Sequence, residues 1–153
     1  MTQAILNLQA RLRACRGVLV DSNILLDIAT NDPGWGDWSA RALAETAEHA
    51  ALIINPIIYA EVSIGYTTIE ALDAVLPPAL YRREPLPWEA GFLAGKSFLL
   101  YRKRGGLRTS PLPDFYIGAH AAIEHLALLT RDQARYRSYF STIEILAPTK
   151  RKT

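Results

Sequence analysis

The segment VLVDSNILLD, residues 18–27, sets a short apolar run, Val18-Leu19-Val20, directly against the polar triplet Asp21-Ser22-Asn23, and then a second apolar run. Valine is stiff and suits a strand packed on both faces, whereas Asp, Ser and Asn favour a helix start because their side chains satisfy its free N–H groups. The segment therefore predicts strand, turn, helix, with Asp21 at the carboxyl end of the strand. In an open parallel sheet, ligands bind in the crevice beyond those ends.

The same alternation recurs along the chain. Residues 51–54 are a second buried strand candidate, and Asn55-Pro56 opens a helix to about residue 66, with Pro at the first helical position, where no N–H is required. Residues 126–130 and 142–146 are further strands, and a short one is expected near residues 80–82 in a Pro-punctuated loop. Helices are expected over residues 3–14, where Ile5, Leu8 and Leu12 share a face, and over 37–49 with Asp37 as its cap. Others are expected over 69–75, over 88–101 closed by Gly105-Gly106, over 114–125 after Pro113, and from Gln133. Short strands apolar on both faces, alternating with helices, predict a three-layer α/β/α sandwich with a short central parallel sheet.

The 153 residues, half of them hydrophobic and 21% charged, suffice for one domain with its own core. No run of about 18 apolar residues and no basic-then-apolar N-terminus is present, so no membrane partner is expected and the chain is expected to be soluble and cytoplasmic. The single cysteine, Cys15, excludes an internal disulfide. A formal charge of +2 is too mild to indicate nucleic acid by itself. The basic residues are nevertheless clustered: Arg82-Arg83, Arg102-Lys103-Arg104 with Arg108, Arg131/Arg135/Arg137, and Lys150-Arg151-Lys152.

Four acids carry the candidate chemistry. Asp21 and Asp132 follow strand candidates, and Asp114 lies in a first helical turn, on a face where Gly118 and Ala121 are expected to leave space. Tyr116, His120 and Glu124 form a separate stripe assigned to solvent. Glu61 falls at i+4 from Ile57 and i−3 from Ile64, beside Ala60, and so is expected within the apolar arc of its helix, opposite Tyr59, Ser63 and Tyr66. A carboxylate aimed at the core is costly unless paired, hydrogen-bonded or bound to metal. Taken singly, Asp21, Asp114 and Asp132 are better explained as helix N-caps. Gathered at one sheet edge, two such charges about 4 Å apart repel by roughly 4 kcal/mol at an effective dielectric near 20, so the cluster calls for a divalent cation. Hard oxygen donors without a His or Cys set favour Mg²⁺ or Mn²⁺, since His49, His120 and His125 lack ligand spacing.

In order and context, the blocks VLVDSNILLD (18–27), INPIIYAEVSIGY (54–66), PLPDFYIGAHAAIEHLALLTRD (111–132) and IEIL (143–146) resemble a PIN domain. More narrowly, their Asp-Ser-Asn, Ala-Glu, Leu-Pro-Asp and Thr-Arg-Asp elements look like those of VapC toxins from bacterial toxin-antitoxin pairs. The resemblance spans residues 17–147, leaving 1–16 as a helical extension and 148–153 as a basic tail. It implies an acidic metal pocket of Asp21, Glu61, Asp114 and Asp132, supported by the hydroxyls of Ser22 and Thr130. It further implies Mg²⁺-dependent RNA cleavage, a homodimer and a masking antitoxin protein. Arg102, Lys103, Arg104 and Arg108, just before Asp114, are then expected to line the approach of the RNA backbone.

Four rivals compete, the blandest being an α/β domain whose acids are only caps and surface groups, which the expected core-facing position of Glu61 disfavours. Phosphoryl or acyl-phosphate chemistry at Asp21 is disfavoured because Asn23 stands where a phosphatase loop uses a second Asp, and no Lys follows the late strand. A catalytically inactive PIN fold that only binds RNA or protein has no use for four acids beside a polyanion. A PIN-type RNA-processing nuclease would share the pocket and differ only in its partner.

Overall fold

The computed structural model describes residues 5–149. Its strands, β1 (Val18–Val20), β2 (Leu52–Ile54), β3 (Tyr81–Arg83), β4 (Ala127–Leu129) and β5 (Ile145–Leu146), form one parallel sheet in the order β3-β2-β1-β4-β5. Leu19 lies opposite Ile53 on one side and Leu128 on the other. Every residue of β1, β2 and β4 is buried, as a sheet covered by helices on both faces requires.

The helices are α1 (Leu8–Arg11), α2 (Ser22–Ala29), α3 (Gly36–Ala47), α4 (Pro56–Ser63), α5 (Ile69–Val75), α6 (Trp88–Lys103), α7 (Pro113–Ile123) and α8 (Ala134–Tyr139). From β1 the chain steps outward to β2 and β3, then crosses back to β4 and on to β5. The direction reverses between β1 and β4, and Asp21 and Thr130 stand directly beyond those two strand ends. The predicted α/β/α fold is found.

Several local expectations are corrected. Asp37 does not cap its helix: α3 starts one residue earlier, and Asp32 instead accepts from the backbone N–H groups of Gly34 and Trp35 at 3.0 and 2.7 Å. On α4 the buried positions are Ile58 and Val62, while Ala60 is exposed and Ile64 is 87% exposed. The core-facing stripe is thus rotated from the expected one, and Glu61, adjoining Val62, is half-buried at its margin.

His120 is fully buried and does not belong to a solvent stripe. The helix α7 is enclosed nearly all round, with Phe115 and every residue from 117 to 121 buried, so polarity along it does not mark an outer face. Asn55, the N-cap of α4, accepts from Ile58 N–H at 2.9 Å and faces His120 Nδ1 through its amide at 3.0 Å. Gly118 does not open space before Asp114. A Cβ there would stand 2.3 Å from Phe140 Cδ2, so the missing side chain admits the Phe140 ring.

The N-terminal helix is shorter than expected, but Ile5, Leu8 and Leu12 join the core, and Arg11 Nε donates to Glu144 at 2.6 Å beside the edge strand β5. Cys15 is partly buried, and burial raises its thiol pKa. The expected basic tail falls largely outside the described residues. Among the described residues, no helix is long and apolar enough to cross a membrane.

Candidate metal centre

Asp21 is the pivot of the site. It caps α2 in an extended conformation, with Oδ1 accepting from Ser22 N–H at 2.8 Å. Oδ2 accepts from the Thr130 hydroxyl and from the Tyr136 hydroxyl, each at 2.9 Å. The residue is 4% exposed, and burial raises its pKa from 3.8 to about 6 despite the opposing hydrogen bonds from Tyr136 and Thr130. The N-cap reading of Asp21 is therefore borne out, and its second oxygen faces the Thr130 and Tyr136 hydroxyls.

Glu61 reaches the site from α4, where the Ser22 hydroxyl donates to Oε1 at 3.1 Å. Its pKa is raised first by burial and then by the neighbouring charges of Asp21 and Asp114, against the Ser22 hydrogen bond. Asp114, in the first turn of α7, takes a 3.2 Å ion pair from Arg135 on Oδ2 and a 3.3 Å hydrogen bond from Tyr136 on Oδ1. Burial outweighs both, and its pKa is also raised. Asp132 is exposed, with its backbone N–H donating to Thr130 Oγ1 at 3.2 Å and its charge adding to the rise at Asp114. The fold thus brings Asp21, Glu61 and Asp114 into one electrostatic unit and leaves Asp132 at its rim.

Asp27 and Tyr136 of this network were not singled out in the sequence, and Asn23 and Arg131 were noted there without a supporting role. Asn23 donates to Thr130 Oγ1 at 3.1 Å and accepts from Arg131 N–H at 3.2 Å. Asp27, 3% exposed, receives Arg131 in a two-bond fork. Tyr136, 1% exposed, joins Asp21 to Asp114. The only sequence signal was the polar Asn23 and Asp27 inside an otherwise apolar helix. Among the basic candidates, Arg102 folds onto the carbonyls of Gly106 and Arg108, and Arg104 reaches Ser138 O and stacks over Tyr139. Lys103 and Arg108 have exposed side chains.

Among the described residues, no three Asp, Glu, His or Cys side chains converge into a complete metal-ligand set. The donor chemistry still fits a hard divalent cation: the three acids present oxygen only, Asp114 raises the cost of ionising Asp21, and both raise the cost of ionising Glu61. Asp21 and Asp114 are the pair across which the Tyr136 hydroxyl is inserted.

The PIN domain family matches residues 18–140. No curated protein matches the chain by sequence. Among solved structures, a chain of VapBC2 from Rickettsia felis, bound to a promoter DNA fragment, is 17% identical with a TM-score of 0.67, covering 86% of this chain and 98% of that one. VapBC-1 from nontypeable Haemophilus influenzae gives 20% identity and a TM-score of 0.66, with 87% and 98% covered. A toxin-antitoxin complex from Klebsiella pneumoniae gives 22%, 0.56, 87% and 98%. At these identities the likeness establishes a common fold.

Proposed function

The chain belongs to the PIN-domain family, and from that premise we propose that it is a metal-dependent endoribonuclease of the VapC toxin type, acting in the cytoplasm and held in check by an antitoxin. The observation that carries this reading is the union of Asp21, Glu61 and Asp114 beyond the ends of β1 and β4, with Ser22 and Thr130 hydroxyls fixing two of the carboxylates.

Mg²⁺ or Mn²⁺, when bound, supplies a Lewis acid for the scissile phosphate and lowers the pKa of a water. The residues that would hold it are Asp21, Glu61 and Asp114, with Asp132 at the rim. Ser22 orients Glu61 through its hydroxyl while its N–H orients Asp21, and Thr130 fixes the other oxygen of Asp21. Arg135 lies beside Asp114 and, with the exposed Lys103 and Arg108, offers cationic contacts to an RNA backbone.

Protein partners are supported by the outer face of α6, where Trp88, Phe92 and Leu99 are 93%, 70% and 48% exposed on the side opposite the buried Ala90 and Ala94. An apolar stripe of that kind suits a homodimer partner or an antitoxin segment. The fold shared with the Klebsiella pneumoniae toxin-antitoxin complex supports an antitoxin of its own.

The test is cleavage of a mixed structured RNA by purified protein with Mg²⁺ or Mn²⁺, beside EDTA and an Asp21→Asn variant. Cleavage lost in both controls supports the nuclease. Absence of cleavage by folded, inhibitor-free protein would turn the assignment to an RNA- or protein-binding PIN module.

A further inference from the structure

We propose that Tyr136 is a positioning residue whose hydroxyl bridges Asp21 and Asp114 and holds the acidic pocket together until a cation displaces it. The inference rests on the metal-centre reading above and assigns a part to a residue outside the acid set.

The ring of Tyr136 is 1% exposed and fills a core position. A phenylalanine would supply the same apolar volume, so packing does not explain the hydroxyl. A buried phenol needs a hydrogen-bond partner, and this one has two: Asp21 Oδ2 at 2.9 Å and Asp114 Oδ1 at 3.3 Å. Both partners are acids whose charges oppose each other. One O–H dipole between two carboxylates does in part what a cation does fully: it places positive charge where both need it.

The occupancy of acceptor sites gives the direction of the effect. Asp21 Oδ2 already serves Thr130 and Tyr136, and Oδ1 serves Ser22 N–H, so Asp21 has little acceptor capacity left. The phenolic proton therefore competes with a cation for the same oxygens. Its loss should weaken the cation-free protein and strengthen cation uptake, whereas a purely structural tyrosine would weaken both forms alike.

The experiment compares wild type, Tyr136→Phe, Asp114→Asn and the double variant by thermal unfolding in EDTA, and wild type with Tyr136→Phe by calorimetric titration of Mn²⁺. In EDTA, Tyr136→Phe should melt about 3 °C lower, and part of that loss should vanish in the Asp114→Asn background, where the hydroxyl keeps its 2.9 Å bond to Asp21 but no longer separates two like charges. Mn²⁺ should bind Tyr136→Phe about three- to tenfold more tightly than wild type. Additive effects in EDTA, or Mn²⁺ affinity unchanged or weakened in Tyr136→Phe, would overturn the proposal while the metal centre stands. No Mn²⁺ uptake by wild type would overturn the metal reading and the competition that rests on it, and the EDTA cycle would still decide whether the bridge exists.

Discussion

Arg131 grips Asp27 through two parallel hydrogen bonds, Nε to Oδ2 and Nη2 to Oδ1, each 2.9 Å long. Asp27 lies on α2 and Arg131 in the turn after β4, so the fork ties together the two segments that supply Asp21 and Thr130. Ser39 on α3 adds a third hydrogen bond to Asp27 at 2.8 Å, and the guanidinium stacks over Trp35 at 5.6 Å. This clamp fixes α2 against the turn after β4 at the point where the strand order reverses.

Arg131→Ala should therefore lower unfolding free energy by about 2 kcal/mol, since it leaves a buried carboxylate with the Ser39 hydroxyl as its remaining side-chain donor. Arg131→Lys should recover less than half of that, because an ammonium cannot reproduce the planar fork. Urea unfolding of the three proteins checks both values, and full recovery by lysine would show that charge alone matters.

The raised pKa of Asp21 has a definite sign for stability. The folded carboxyl binds its proton more tightly than the unfolded chain does, so this group stabilises the cation-free protein below about pH 4 and loses that contribution as pH rises to about 6. That rise corresponds to roughly 3 kcal/mol. In EDTA, wild type should lose stability relative to Asp21→Asn across that window. A difference between the two proteins that stays flat with pH would remove burial of charge from the account.

Gly118→Ala is expected to destabilise by about 2 kcal/mol, because the new methyl would meet the Phe140 ring, itself 4% exposed, and force it to move. Unfolding in urea measures this directly, and a neutral or stabilising change would mean that α7 and α8 yield freely.

The strands and the acids were legible in sequence because each depends on local pattern: a short apolar run followed by Asp, or Pro followed by Asp in a first helical turn. The helix faces were less so. With Ile at 57, 58 and 64 and Val at 62, α4 is apolar enough all round that spacing alone does not fix its phase, and the packing selects Ile58 and Val62. His120 was misplaced for a related reason, since α7 is enclosed on every side and its partners Asn55 and Glu84 are distant in the chain. The supporting network of Asn23, Asp27, Arg131 and Tyr136 joins residues about a hundred positions apart, and no periodicity reports such contacts.

The most direct test of the central claim is the rate of RNA cleavage against Mn²⁺ concentration for wild type and for Asp21→Asn, Glu61→Gln, Asp114→Asn and Asp132→Asn, each verified as folded. The first three variants should lose at least about 100-fold in rate, by analogy with the removal of a group that stabilises transition-state charge, and Asp132→Asn, exposed at the rim, should lose less. Cleavage that persists in EDTA, or that survives the loss of Asp21, Glu61 and Asp114 individually, would contradict the claim.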